Sequence, residues 1–503
     1  MNLTTEDIQN FKGKYPKQIW GLFFSEMWER FCFYGMRGML TYFMVTELLM
    51  KEDIAQLQYG ATQAFVYAFT FVGGLFADKI LGFRKSLFWG GLMMIAGSLI
   101  LAMNPHQNFF LGIAFTIIGT GFFKPNISTM VGKLYKPNDP RTDAGFSLFY
   151  AGINMGALLG GYICIAVGKG EMFQNLIPEH LRWNIAFGFA ALVMVISLIN
   201  FFFTQKSLAT IGLQPGHPLS DNPMQKISKW KEYAVYFGTL VFIPLIMIMV
   251  SKTEYTDLFM YIIGPVTLLY LFYEMTKVTP SERKKLWAAL VFILFSILFW
   301  GIYEQSGGSL SIFAAKNLNK DLLGLDPNGV NNSGGAFFII FLAPLAGLFW
   351  LWLSKRKLEP NTIVKFGLGF LFLGFGYYAL FGTRLFADAA GVTSLNMFTV
   401  ALLIITFGEL CLSPIGLSIM TKLSTKNLQG MMMGLWFLAS AYGQYVAGII
   451  GSNMSKAKEG ATNYEALITY TEGYKQLALY AIIAGVVLIV ISPLIKKLMQ
   501  DVR

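Results

Sequence analysis

The chain has 503 residues, of which 55% are hydrophobic, 16% aromatic and only 13% charged, about half the charge content of an ordinary soluble protein. So little polar material cannot cover a water-facing surface, which excludes a soluble globular domain. The formal net charge of +11 is basic, and its distribution along the chain reads as membrane topology, not nucleic-acid binding.

Apolar stretches near or above about 18 residues recur from end to end, enough at about 1.5 Å per residue to cross a hydrocarbon core of about 30 Å. In chain order the predicted spans are Ile19–Leu49, Gln58–Leu81, Leu87–Met103, Phe109–Lys133, Ala144–Val167 and Trp183–Phe203. A polar stretch, Gln205–Lys229, precedes two further segments, Tyr233–Val250 and Leu258–Met275. Six more follow: Leu286–Ala315, Gly335–Leu353, Ile363–Phe381, Leu395–Lys422, Met431–Gly451 and Tyr474–Leu498. The expectation is an all-α membrane protein of fourteen spans. Its domains are an amino-terminal six-helix bundle over 1–204, a linker with two additional helices over 205–285, and a carboxy-terminal six-helix bundle over 286–503.

Lysine and arginine concentrate in cytoplasmic loops. With both termini inside, the cytoplasmic segments hold 26 of the 39 basic residues, with clusters at Lys12/Lys14/Lys17, Lys79/Arg84/Lys85, Arg283/Lys284/Lys285 and Lys355/Arg356/Lys357. This predicts a multi-pass protein of the cytoplasmic membrane with both ends cytoplasmic. The first 18 residues are polar, so Ile19 is expected to begin a retained helix. Cys32, Cys164 and Cys411 lie scattered in apolar spans, and His106, His180 and His217 in loops. Neither a disulfide framework nor a metal site is expected. Without a nucleophile or metal constellation, an enzyme or a resident cofactor is not expected either.

The informative residues are charges inside apolar spans: Glu26, Glu29, Arg30, Arg37, Lys124, Glu304 and Glu409. Each costs about 2.5–3.5 kcal/mol at a helix centre, so the seven together cost about 20 kcal/mol against the about 5–15 kcal/mol of net stability typical of a fold. They must pair or line water. Packing ion pairs explain one or two; four acids against three bases fit a hydrated central cavity better. In the run Glu26-Met27-Trp28-Glu29-Arg30-Phe31-Cys32-Phe33-Tyr34-Gly35-Met36-Arg37, spacings of three and four put Glu26, Glu29 and Arg30 on one face, with Tyr34 one turn beyond. Desolvation favours the neutral acid and a neighbouring arginine favours the carboxylate, so a substrate carboxylate on the arginine frees a glutamate to take a proton. That is a physical route to symport.

The same run resembles the E-x-x-E-R-F-x-Y-Y-G signature of the proton-dependent oligopeptide transporters, a branch of the major facilitator superfamily. Three further matches follow in the family's order: Gly73–Lys79 with Gly82 and Arg84, Phe146–Gly156, and Gly408–Ser418. The resemblance runs from about residue 20 to 450. Independently, Gly119, Pro125, Lys133 and Leu134 recur at the spacing of Gly408, Pro414, Lys422 and Leu423, an internal echo of duplicated halves, which place a substrate at their interface.

The resemblance implies proton-coupled import of di- and tripeptides by alternating access, with the proton gradient as energy source and a monomer as functional unit. It implies proton coupling by Glu26, Glu29, Arg30 and Glu304. Arg30 and Lys124 would hold the peptide carboxylate, and Asn154 and Glu409 the amino terminus. Tyr34, Tyr67, Trp300, Trp436 and Ser440 would shape the pockets, although core packing explains the aromatics equally well. Arg37 with Glu304, and Lys124 with Glu409, are the implied gating pairs, and Arg37 also borders the substrate site. Three departures stand out: Phe33 replaces a tyrosine, Gly335 aligns with a usual asparagine, and Ala439-Ser440 replaces Ser-Asn. The alternatives are a facilitator for another solute, such as an amino acid, nitrate or drug, and a membrane enzyme or receptor.

Overall fold

The computed structural model describes residues 4–137, 139–217, 227–412, 416–424, 428–455, 461–500 and 502; side chains at 416–418 and 421 are outside the description. Ser413, Pro414 and Ile415 of the Gly408–Ser418 motif, and with them the proline of the internal echo, fall outside the described residues.

The described chain is helical throughout. A short capped helix α1 (Thr5–Gln9) precedes α2 (Gln18–Thr46), α3 (Glu52–Phe76), α4 (Phe83–Met103), α5 (Phe109–Lys133), α6 (Thr142–Gly168) and α7 (Arg182–Thr204). Then come α8 (Lys229–Ser251), α9 (Thr253–Lys277), α10 (Pro280–Tyr303), α11 (Ser309–Asn317), α12 (Pro327–Lys355), α13 (Thr362–Gly382), α14 (Leu395–Leu412), α15 (Gly416–Leu423), α16 (Gln429–Met454) and α17 (Asn463–Met499). Among the described residues, thirteen helices are long and apolar enough to cross a membrane. The predicted first span is outside that number because every 18-residue stretch of α2 carries at least three of Glu26, Glu29, Arg30 and Arg37. Its 29 residues still reach about 43 Å, and Glu26, Glu29 and Arg30 are buried in protein.

Several predicted boundaries need correction. α3, α12 and α17 begin 6 to 11 residues before the apolar stretches predicted them, because their first turns are polar. Asp326 caps α12 by accepting from Gly329 N at 2.8 Å, and Thr462 with Glu465 forms a capping box on α17. The predicted single span Leu286–Ala315 is two helices, α10 and α11, separated by residues 304–308. Gly307 and Gly308 are poor helix formers, and a Cβ there would strike the Tyr59 hydroxyl at 2.1 Å and Gln56 Oε1 at 2.6 Å. The predicted Leu395–Lys422 likewise appears as α14 and α15 on either side of the undescribed 413–415.

Glycines set the closest helix crossings. A Cβ on Gly119 of α5 would lie 2.7 Å from Gly90 O of α4, and one on Gly408 of α14 would lie 2.7 Å from Gly369 O of α13. The two echo glycines therefore carry the same kind of backbone-to-backbone crossing in each half, as small-residue packing in membranes requires. In the Gly73–Arg84 motif, Gly82 between α3 and α4 has φ +75° and a Cβ there would meet Gln214 N at 2.6 Å, while Arg84 donates to Ile211 O and Ala209 O at 2.7 and 2.6 Å.

The chain forms two compact units, Met1–Met39 with Phe65–Ser251, and Leu40–Ala64 with Lys252–Arg503. The second unit thus includes the facing ends of α2 and α3. There Thr41 Oγ1 donates to Gly307 O at 2.5 Å, and Gly60 approaches Gly448 so closely that a Cβ would sit 2.7 Å from its Cα. α8 docks within the first unit, Lys85 Nζ lying 2.7 Å from Glu232 and Trp89 donating to Thr239 at 3.0 Å. α9 docks within the second, where Tyr445 donates to Asp257 at 2.6 Å.

Candidate functional site

In the first unit the polar stripe of α2 lies against α6. A Cβ on Gly156 would fall 2.2 Å from Met27 O and 2.8 Å from Arg30 Cβ, and one on Gly160 would fall 2.2 Å from Phe31 O. Gly156, which ends the Phe146–Gly156 motif, and Gly160 one turn further on let α6 cross α2 at the turn that carries Arg30. The Arg30 guanidinium forks onto Glu29, with its Nη2 donating to Glu29 Oε1 at 2.6 Å and its Nε hydrogen-bonded to Oε2. Glu26 Oε1 stands 3.3 Å from the same Nε. All three side chains are at most 1% exposed, so this is a dehydrated group of two carboxylates and one guanidinium.

Glu26 Oε2 is buried without a hydrogen-bond partner among the described residues, an arrangement that costs about 1–3 kcal/mol or more for a charged group. The Lys124 charge reaches both Glu26 and Glu29, and its Nζ lies 4.7 Å from the Tyr67 ring centroid. Phe33, the departure from tyrosine, is a platform under Arg30 with its ring centroid 5.0 Å from the guanidinium carbon. A hydroxyl is not needed for that cation–π contact. Arg37 lies over the half-buried Tyr34 at 5.7 Å, and buried Asn154 donates to Tyr150 O of its own helix at 2.9 Å.

In the second unit, Glu409 of α14 accepts a hydrogen bond from the Tyr303 hydroxyl at the end of α10. Tyr303 packs edge-on against Trp300 at 5.4 Å and stacks on Phe299 at 5.8 Å. Trp300 is positioned by Gly443 of α16, whose added Cβ would meet Trp300 Cβ at 2.6 Å. Trp436 is buried, and Ser440 donates to the Trp436 carbonyl at 3.2 Å. Buried Glu304 closes α10, its N–H bonded to Trp300 O at 2.9 Å. In the turn after it, Gln305 Nε2 donates to Ala447 O at 3.1 Å and Asn331 Nδ2 to Ser306 O at 2.6 Å. A Cβ at Gly335 meets nothing within 4 Å, so the missing asparagine leaves open space.

Within the first unit the structure brings together Glu26, Glu29 and Arg30, with Lys124 in electrostatic reach and Tyr67 beside it. Within the second it groups Trp300, Tyr303 and Glu409. Sequence reasoning overlooked Tyr303, which sits in the quoted Trp300–Gln305 run but whose partner is 106 positions away. It also missed Glu52, which holds Lys316 of α11 through one oxygen and accepts from Tyr470 of α17 at 2.7 Å through the other. Glu52 lies in a polar first turn with no local signal of its partners.

The POT family matches residues 84–467 of the chain. The peptide transporter YePEPT of Yersinia enterocolitica is 32% identical over 97% of this chain and 96% of its own length. A di-/tripeptide transporter of Lactococcus lactis subsp. cremoris is 31% identical, with 97% of each chain covered. Among solved structures, that of a peptide transporter POT in complex with sulfate has a TM-score of 0.79 at 30% identity, covering 99% of this chain and 100% of that one. A family match over most of the chain, full-length relatives and a shared fold agree with the four motifs: this protein is a multi-pass membrane transporter and belongs to the POT family.

Proposed function

We propose that the chain is a symporter that uses the proton gradient across the cytoplasmic membrane to import di- and tripeptides, acting as a monomer with both termini cytoplasmic. The names of the relatives support peptides as the substrate class. The observation that carries the coupling is the buried Glu26–Glu29–Arg30 group. Its one guanidinium already serves two carboxylates, so a peptide carboxylate that engages Arg30 competes with Glu29 and Glu26 for the same donors. The displaced carboxylate is left in a dehydrated site and takes a proton, and binding of peptide and proton become one event.

Lys124 adds a second cation for the peptide carboxylate, and Glu409, oriented by Tyr303, is the anion for the amino terminus. Asn154, Tyr34, Tyr67, Trp300, Trp436 and Ser440 complete the pocket in this reading. Arg37 with Glu304, and Lys124 with Glu409, open and close it as the bundles over 1–204 and 286–503 rock about the site.

Purified protein in liposomes with an interior made negative and alkaline is expected to accumulate dialanine. One charge moving through 100 mV supplies about 2.3 kcal/mol, about fifty-fold accumulation of a neutral zwitterion. Accumulation that survives an uncoupler would exclude symport. A substrate panel of amino acids, nitrate and drugs that outcompetes dipeptides would favour another solute.

A further inference from the structure

Away from the charged site, α12, α13 and α14 of the second unit line a half-open groove of about 480 Å³ whose walls include Leu342, Ala346, Trp350, Phe372 and Phe407. Apart from the Trp350 indole and the Cys411 thiol, its lining is hydrocarbon, so a peptide backbone would find almost no hydrogen-bond partners there. From Leu342 to Trp350 the wall runs about 12 Å along α12, close to the depth of one leaflet of a core about 30 Å thick. On the same helix, Leu345, Leu348 and Phe349 are more than half exposed, as expected of a face covered by lipid.

The end of this groove is cationic. α12 stops at Lys355, followed by Arg356 and Lys357, and Lys365 rises from the first turn of α13. The Lys365 ammonium lies 4.7 Å from the centroid of Trp350, the ring that lines the cavity, and Arg356 stands 4.2 Å from the Trp352 ring. The one acid in the turn, Glu359, pairs with Lys365 at 2.5 Å, which leaves four cations facing a single carboxylate. Apolar groove and basic collar meet at Trp350.

We infer that this groove is a binding site for an anionic diacyl phospholipid, with one acyl chain in the cavity and the phosphate at Lys355, Arg356 and Lys365. A zwitterionic lipid offers the same chain without the net charge, and each basic residue near a headgroup is worth about five-fold in affinity for an anionic lipid. The cavity supplies chain binding and the collar supplies selectivity.

The test is native mass spectrometry of the full-length protein released from vesicles of equal phosphatidylglycerol and phosphatidylcholine. The wild type is expected to retain phosphatidylglycerol over phosphatidylcholine by about tenfold. R356Q/K365Q, both at the helix-end surface, should bring the two lipids to within about threefold with an unchanged melting temperature. A346W, which fills the cavity, should lose the tightly held lipid of either kind. K496Q/K497Q removes the same charge at the end of α17 and should keep the preference. Equal retention of the two lipids by the wild type, a preference unaltered in R356Q/K365Q, or lipid retention undiminished in A346W would overturn the assignment.

Discussion

Arg30 stands between two carboxylates that it satisfies unequally. It gives Glu29 a two-point fork and Glu26 a single 3.3 Å approach. Charge-assisted forks are the stronger contact, and leaving a buried ion unpaired costs about 3–5 kcal/mol, so Arg30→Ala is expected to abolish both concentrative uptake and exchange. Glu29→Gln and Glu304→Gln should lose concentrative uptake while retaining measurable counterflow, since exchange needs binding and rocking but no net proton movement. Uphill uptake by Glu304→Gln would remove that residue from the proton path.

At the other charge centre, the Tyr303–Glu409 bond predicts recognition of the free peptide amine. N-acetyl-dialanine and dialanine amide should each compete at least about tenfold worse than dialanine, because an unmade charged hydrogen bond costs about 2 kcal/mol. Glu409→Ala should erase most of the acetylation penalty and spare the amidation penalty. Tyr303→Phe should weaken amine recognition in the same direction. The charged residues were legible in the sequence because each is costly in an apolar span; Tyr303 was not, because a tyrosine there is ordinary.

Among the elements, glycine positions separate crossings from open surface. Gly→Ala inside a helix gains about 1 kcal/mol of propensity, but at Gly156 the new Cβ would meet backbone at 2.2 Å, and overpacking costs typically about 1–3 kcal/mol. The clash is with the Met27 carbonyl, which cannot rotate away, so the steric cost wins. Gly156→Ala should lower the melting temperature by several degrees and reduce binding of dialanine, because the strand of backbone it displaces carries Arg30. Gly335→Ala, with nothing within 4 Å of the added carbon, should leave the melting temperature unchanged or raise it. The boundaries the sequence misplaced have two causes. Polar capping turns such as Thr462–Glu465 look like loops to a hydropathy reading, and the break at residues 304–308 depends on Tyr59 and Gln56, about 250 positions upstream.

For the molecule as a whole, the facing ends of α2 and α3 belong to the compact unit built from the carboxy-terminal half. Glu52 is a polar tie that joins Lys316 and Tyr470, and Thr41 and the Gly60–Gly448 contact add to it. The ion pair is partly exposed and worth at most about 1 kcal/mol, so Glu52→Gln should speed hydrogen exchange of residues 40–64 by up to about five-fold without unfolding the protein. Unchanged exchange there would mean that Glu52 does not limit the opening of this segment.

The helical class, the number of apolar spans, the buried acids and bases and the family motifs all follow from the sequence. Hydrocarbon forces backbone into helices and makes every charge conspicuous. The pairing of Glu29 over Glu26 with Arg30, the Tyr303 hydroxyl on Glu409 and the division of α2 and α3 between two compact units were decided only in three dimensions. Each depends on which distant residues are brought within a few ångströms, and that is set by close glycine crossings whose partners have no local mark in the chain.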